Sequence, residues 1–444
     1  MTLDIIKPTS CSIDLTEGCN LACEYCFTHS IHKPRKIDPK LAKRILDWWL
    51  PQTDDNPDKN VNIQFWGGEP LLEWKLIKEL VKYGEELNKD LKRNIEWGGT
   101  TNGLLLTPDK VEWGLKHNCL FMVSLDGVKE VHDKYRKLSN GGGSFDLIVK
   151  NFKAAQKLFP RLKARAAIST FSVPYFFESI QFFVEELGLT EVMFSPVFED
   201  DWNEEILEKM EEQFQLVIDY SVKRAKEGKP FTMKHILDEA NKNCEPTDPG
   251  NPCGAGIHYC GFSVDGFIFP CHRFNKHGLS TEERSKLPTI IGRPKGDSFE
   301  WCNQEWRDEF INFKDRHSEK CTSCDILKTS VCNGGCPAVN WDMTKALHDQ
   351  PKSECDYNKL QHKAGIEYRK KMEAAGLPIG DMRRREPGCF CYNMCYTEGP
   401  AQEFEVKRKF LDLSKRILQT HDQEKTEEQR KLELEVLEKT IEIL

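Results

Sequence analysis

The chain has 444 residues, of which 39% are hydrophobic and 30% charged, a balance typical of a soluble protein with two or three domains. Its 63 Lys and Arg against 71 Asp and Glu give a formal net charge of −8, which speaks against a broad nucleic-acid-binding surface. No apolar run is long enough to span a bilayer, and the amino terminus lacks the pattern of a secretion signal, so we expect no membrane partner and no export.

Cysteine is unusually frequent, with 18 residues in the chain. In a long chain without a secretion signal, this number indicates metal or redox cofactors rather than a disulfide framework. Because oxygen damages clusters held by such thiols, we expect the protein in an anaerobic or reducing cytoplasm.

Short apolar runs alternate with amphipathic stretches from residue 10 to about residue 235. The expected strands are residues 12–15, 61–66, 94–100, 120–125, 163–170 and 191–197. The expected helices between them are residues 39–50, 72–91, 108–117, 145–159 and 174–187. Six strands, each followed by a helix, predict an α/β fold in which a parallel sheet curls into a partial (β/α)6 TIM-like barrel. Such barrels bind ligands at the carboxyl ends of their strands.

The composition changes after one further expected helix at residues 203–227. Cysteines become dense and regular periodicity fades, which indicates a domain organised by metal more than by apolar burial. We therefore expect a barrel at residues 1–235, a cysteine-rich domain at 236–385, and a segment at 386–444 that carries cysteines and a charged helical tail from residue 402. We predict a surface loop at the polar residues 280–298.

Cys19, Cys23 and Cys26 follow the first expected strand with the spacing C-x3-C-x2-C. Three thiolates can hold three irons of a [4Fe–4S] cluster and leave the fourth iron open to a small molecule. The alternative is three unrelated core cysteines or part of a zinc site. The run CNLACEYCF resembles the signature of the radical S-adenosylmethionine (SAM) superfamily. This resemblance implies that the open iron binds SAM, whose one-electron cleavage gives a 5′-deoxyadenosyl radical.

The residues that follow the later strands also resemble this family. Gly67, Gly68, Glu69 and Pro70 match its GGEP motif, which binds the SAM amino group, although the four residues alone would suit an ordinary turn. By the same resemblance, Asn102 and Ser124 lie along the cofactor and substrate side, with Ser124 a candidate donor to the methionyl carboxylate. Arg165 would pair with that carboxylate in a forked geometry, unless it forms a surface ion pair. Residues 126–136 resemble a segment of peptide-modifying members that could position a peptide backbone, or they form a capped turn without chemistry.

The second group of cysteines resembles the SPASM domain, an accessory module with two auxiliary [4Fe–4S] clusters. The resemblance assigns one cluster to Cys253, Cys260, Cys271 and Cys336, and the other to Cys321, Cys324, Cys332 and Cys355. Eight thiolates would ligate both clusters fully, so neither need be open. The gap between the C-x2-C and C-x3-C pairs is seven residues instead of the usual five, and two zinc sites are the alternative. Nothing in the family pattern covers Cys389, Cys391 and Cys395.

The resemblance implies a SAM enzyme with three [4Fe–4S] clusters that oxidatively modifies or crosslinks, by a thioether or C–C bond, a peptide made on the ribosome. A low-potential donor such as flavodoxin or ferredoxin would supply electrons. The rival enzyme function is formylglycine formation on sulfatases. That branch carries an Asp, its proposed base, after the cysteine matching Cys271, whereas this chain has His272, our candidate catalytic residue. A non-catalytic iron–sulfur electron carrier is the rival from another class, and a zinc-binding scaffold is a further alternative.

Overall fold

A computed structural model describes residues 7–28, 34–56, 59–233, 236, 253–327, 332 and 334–379. The expected carboxyl-terminal tail, Cys244 and the group Cys389, Cys391 and Cys395 lie outside these residues. Among the helices of the described ranges, none combines the length and apolar character needed to cross a membrane.

The first half of the described chain forms the expected parallel sheet. Its strands are β1 (Ser10–Thr16), β2 (Asn60–Gly67), β3 (Asn94–Thr101), β4 (Cys119–Ser124), β5 (Ala164–Ile168), β6 (Glu191–Pro196) and the short β7 (Thr232–Met233). They pair in chain order, each parallel to the next. All residues of β1 are buried, as is typical of a strand covered on both faces of a parallel sheet. The six predicted strands are therefore confirmed.

The helices that cover this sheet follow the predicted order. They are α1 (Pro39–Trp49), α2 (Trp74–Leu91), α3 (Pro108–Lys116), α4 (Lys129–Tyr135), α5 (Phe145–Gln156), α6 (Phe176–Gln181) and α7 (Glu204–Lys226). The side chain of Asp38 caps α1 by accepting hydrogen bonds from the backbone N–H groups of Lys40 and Leu41. The single helix expected at residues 174–187 is instead a 3₁₀ turn (Thr170–Tyr175), α6 and a π turn (Phe182–Glu186).

The cysteine-rich segment extends the same sheet rather than starting a separate one. Strand β8 (Tyr259–Phe262) pairs parallel with β1, and β9 (Ile268–Phe269), β10 (Gly292–Lys295) and β11 (Ser298–Trp301) add antiparallel strands beyond it. The described residues thus share one sheet of eleven strands, in the order β11-β10-β9-β8-β1-β2-β3-β4-β5-β6-β7. The helices of this segment are α8 (Thr281–Ser285), α9 (Gln304–Ile311), α10 (Glu319–Thr322), α11 (Pro337–Thr344) and α12 (Lys352–Ala374).

The prediction of a surface loop at residues 280–298 is wrong, because α8, β10 and the first residue of β11 occupy this stretch. Helix α8 starts with a capping box in which the Ser280 hydroxyl accepts from the Glu283 N–H and the Glu283 carboxylate accepts from the Ser280 N–H. The polar composition that suggested a loop reflects this cap and a buried arginine.

That arginine, Arg284, is fully buried and joins α8 to the carboxyl end of β1. Its guanidinium donates to Glu17 Oε1 at 2.5 Å and to Asp265 Oδ1 at 2.7 Å. Arg35 pairs with the same two carboxylates at 3.1 and 3.0 Å. Two guanidinium groups and two carboxylates therefore compensate each other, and they fix the chain two residues before Cys19.

Replacing Arg284 by Met should lower the free energy of unfolding by about 3–5 kcal/mol, because Glu17 and Asp265 lose a buried counter-charge. Chemical denaturation of the cluster-free chain measures this change. The double variant Glu17→Gln/Arg284→Met should be less destabilised than the sum of its single variants. Lys286, two residues after Arg284, forms an exposed pair with Glu282, and Lys286→Met is the control that should match wild type. Equal stability of the Arg284 and Lys286 variants would contradict the prediction.

Candidate active site

The carboxyl ends of the barrel strands surround a cleft of about 1160 Å³ that is open to solvent. The cleft is lined by all the residues that the sequence assigned to the cofactor site of the barrel: Cys19, Cys23, Cys26, Gly67, Gly68, Glu69, Pro70, Asn102, Ser124 and Arg165. Glu199 and Arg273 also line the cleft. Because Arg273 belongs to the cysteine-rich segment, that segment contributes to the cleft as well.

The three cysteines of the loop after β1 face this cleft at different depths. The Cys19 side chain is exposed to it, and Cys23 and Cys26 are partly buried. Burial, together with the charges of Cys26, Asp126 and Cys19, raises the pKa of Cys23 to about 12 despite the opposing effect of Arg136. Crowded thiolates need a positive partner, and an iron–sulfur cluster would supply one. The donor set therefore fits the cluster that the spacing predicts.

The two glycines of the GGEP turn allow close contact with the cysteine loop. Gly67 has a φ of +124°, and an added Cβ there would lie 2.0 Å from Thr16 O. A Cβ on Gly68 would lie 2.3 Å from Gly18 O. The backbone N–H groups of Gly68 and Glu69 donate to these two carbonyls, each at 2.9 Å. Side chains at either glycine would push the turn away from the cysteines.

Glu69 is a buried carboxyl group held by three donors. Its Oε1 accepts from Leu71 N at 3.0 Å and Thr101 Oγ1 at 2.8 Å, and its Oε2 accepts from Asn102 N at 2.7 Å. Burial raises the pKa of Glu69 to about 7, although these hydrogen bonds oppose the shift. A carboxylate offers about four acceptor positions, so one remains for a cationic ligand in the cleft.

Arg165 is the basic counterpart of Glu69 in the cleft. It pairs in register with Ser124 on the neighbouring strand, and its Nη2 donates to the neutral hydroxyl of Ser195 at 2.8 Å. Burial and the nearby charges of Arg136 and Arg273 lower the pKa of Arg165 to about 10. An anionic ligand beside Arg165 would relieve this excess of positive charge.

Asp126 connects the cysteine loop to the barrel, a role that the sequence did not reveal. Its carboxylate accepts from the Tyr25 hydroxyl, from Arg136 Nε at 2.8 Å and from Ala167 N at 2.9 Å. Burial alone would raise the pKa of Asp126, but Arg136, His132 and Tyr25 outweigh it and lower the pKa. Asp126 and Arg136, at the two ends of residues 126–136, therefore make their contacts inside the protein. Tyr25, the aromatic residue between Cys23 and Cys26, was the feature of the sequence that could have indicated the contact with Asp126.

His272 lies beside the cleft and is not among the residues that line it. Its ring packs on Trp66 with centroids 4.2 Å apart, and its Nδ1 shares a 2.8 Å hydrogen bond with the Tyr259 hydroxyl. Burial, Arg165 and His277 lower the pKa of His272 to about 3, which favours the neutral ring. The next residue, Arg273, is the one that enters the cleft wall.

Four thiols of the cysteine-rich segment surround a second cavity. Cys321, Cys324, Cys332 and Cys355 line about 630 Å³ of space together with Lys320 and Lys359. Asn358 Nδ2 donates to Cys332 Sγ at 3.7 Å. The structure thus brings together all four residues that the sequence grouped in the second auxiliary set.

The other expected set is divided by the structure. Cys253, Cys271 and Cys336 pack in one apolar cluster, whereas Cys260 lies in the barrel core with Cys11. The resemblance to the SPASM domain placed Cys260 with the other three. Its position on β8 turns its side chain to the opposite face of the sheet, because neighbouring residues of a strand alternate between faces.

Comparisons with known proteins bear on the family and on the fold. Residues 13–181 match the Radical SAM superfamily. The cysteine-type anaerobic sulfatase-maturating enzyme of Clostridium novyi (strain NT) is 25% identical over 344 residues, which cover 75% of this chain and 87% of the relative.

Two solved structures share the fold. Native anSMEcpe with bound AdoMet and the Cp18Cys peptide has a TM-score of 0.60 at 18% identity, over 83% of this chain and 99% of that one. Streptococcus suis SuiB bound to the precursor peptide SuiA has a TM-score of 0.51 at 17% identity, over 79% of this chain and 77% of that one.

Replacing Asp126 by Asn should lower the free energy of unfolding at pH 7 by about 3–5 kcal/mol, because Arg136 loses its buried partner. The lowered pKa means that the carboxylate stabilises the fold above the unfolded-state value of about 3.9, and that this contribution is lost as the pH falls through the folded-state pKa. The variant should therefore lose stability less steeply in acid. Denaturation from pH 3 to pH 7 tests both effects, with the exposed Asp146→Asn as control. Parallel pH profiles of wild type and Asp126→Asn would disprove this role.

Proposed function

Since this chain is a radical SAM enzyme related to the SPASM maturases, we propose that it oxidatively modifies or crosslinks a ribosomally made peptide, with a thioether or carbon–carbon bond as the product. The observation that carries this proposal is the cleft. Its wall combines the three cysteines, Glu69 and Arg165 of the barrel with Arg273 of the cysteine-rich segment, and it opens to solvent, so a second reactant would reach the space beside SAM.

The residues of the cleft support a specific placement of SAM. Glu69, a buried acid with an acceptor position to spare, would bind the amino group. Arg165 and Ser124, adjacent on neighbouring strands, would bind the carboxylate, and Asn102 would border them. Cys19, Cys23 and Cys26 would hold the cluster next to the GGEP turn. When bound, the cluster and SAM supply a radical that removes a hydrogen atom from an unactivated carbon.

Two auxiliary [4Fe–4S] clusters form part of the proposal. The cavity lined by Cys321, Cys324, Cys332 and Cys355 supports one of them, and the apolar cluster around Cys253, Cys271 and Cys336 supports the other. Closing the crosslink from the substrate radical releases one electron and one proton, and these clusters would accept the electron. A flavodoxin or ferredoxin would supply the electron that cleaves SAM.

Formylglycine formation on a sulfatase is the second candidate, and the similarity to the Clostridium novyi enzyme favours it. The geometry around His272 argues for the leading proposal. A base must reach the substrate, whereas this ring packs against Trp66 and Tyr259 outside the cleft. We propose that His272 holds the side chain of Trp66, which lines the cleft, in position.

Glu69→Gln should weaken SAM binding about 10- to 100-fold, because the ammonium group loses a buried carboxylate worth roughly 1.5–3 kcal/mol. Equilibrium binding to the anaerobically reconstituted enzyme measures the affinity, and formation of 5′-deoxyadenosine with dithionite measures turnover. Glu73→Gln, in the same turn but paired with Lys36, is the matched control and should bind SAM as wild type does. Unchanged affinity of Glu69→Gln would remove Glu69 from the proposed site. A reconstituted wild-type enzyme that never forms deoxyadenosine would instead favour the electron carrier.

Incubation with cysteine-containing candidate peptides should give a product that has lost two hydrogen atoms and kept its sulfur, as a crosslink requires. A formylglycine product from cysteine instead replaces the thiol sulfur by a carbonyl oxygen. Accurate mass and fragment spectra of the peptide distinguish the two. Loss of sulfur would overturn the crosslinking proposal in favour of the second candidate. Peptide incubated with an enzyme whose Cys19, Cys23 and Cys26 are all alanine is the control and should stay unmodified.

A further inference from the structure

The thiols expected at the first auxiliary cluster divide into a group of three and a single residue. Cys271 belongs to the apolar cluster that contains Phe310, and Cys253 and Cys336 pack against the same cluster. Cys260 is buried in the core of the barrel instead.

The register of β8 fixes the direction of Cys260. Four consecutive pairs join β8 to β1, with Cys260 opposite Cys11. An added Cβ on the next residue, Gly261, would lie 2.9 Å from His272 N and 3.0 Å from Cys271 C, so position 261 faces the Cys271 side. Alternation then directs the Cys260 side chain away from it. Turning Cys260 around would require a one-residue slip, which would move every side chain of β8 to the wrong face.

We infer that the first auxiliary cluster is held by three thiolates, Cys253, Cys271 and Cys336, and that Cys260 is a core residue rather than a ligand. This inference rests on the auxiliary clusters of the proposed function. Three thiolates leave one iron without a cysteine from the described segment, as in the Cys19 loop. That iron can exchange a small anionic or thiolate donor, so this cluster can bind a ligand in addition to transferring electrons.

The test uses a full-length background in which Cys19, Cys23 and Cys26 are alanine, so that only auxiliary clusters assemble. After anaerobic reconstitution this parent should hold about eight irons per chain. Cys253→Ala and Cys336→Ala should each fall to about four. Cys260→Ala and the size-preserving Cys260→Ser should keep about eight, with the low-temperature EPR spectrum of the reduced parent.

Cys11→Ala is the matched control, because Cys11 lies opposite Cys260 in the same core and is a ligand in no assignment. It reports how much iron a packing defect alone would release. Iron counts of the Cys260 variants equal to that of Cys11→Ala support the inference. Counts lower by about four irons in both Cys260 variants overturn it and leave the auxiliary clusters intact as a proposal. A parent that holds no iron overturns the auxiliary clusters and this inference together.

Discussion

The buried pair of Arg284 and Glu17 is the contact on which the position of the cysteine loop depends. Glu17 directly follows β1 and lies two residues before Cys19, and Arg284 comes from the segment after β9. Because neither charge can reach water, each tolerates burial only while the other stays in place. Asp265 and Arg35 complete the neutral group. The cysteine-rich segment is therefore part of the framework that fixes the first cysteine loop as well as an added module with its own cysteines.

A second buried group holds the same loop from the barrel side, and it leaves the cleft with a simple charge pattern. Asp126 and Arg136 compensate each other, with Tyr25 tied to the pair. Glu199 and Arg273 pair with each other in the wall of the cleft. What remains is a buried acid, Glu69, and a partly buried base, Arg165, each with neutral partners. Unpaired buried charges cost stability, and proteins usually keep them where a ligand provides the counter-charge. A zwitterionic amino acid group fits this pattern.

The sequence predicted features that depend on neighbouring residues and missed those that depend on distant ones. Buried parallel strands appear as apolar runs, so β1 to β6 were recognisable, and the cysteine spacing of the first loop needs only local chain. The direction of Cys260 depends on the register between β8 and β1, which are more than 240 residues apart. Arg284 looked like one charge in a polar stretch, because its partner Glu17 lies 267 residues away.

Three successive residues after β9 take three different environments, and this arrangement bears on how the two halves of the site cooperate. Cys271 faces the thiol group, His272 packs on Trp66, and Arg273 enters the cleft wall. The backbone between Cys271 and Arg273 thus sets the separation between a proposed cluster and the proposed substrate space. In the proposed role, His272 acts through packing, because its ring supports the Trp66 side of the cleft. An acidic side chain at this position would lack that ring, so it would change the shape of this side of the cleft as well as its proton chemistry.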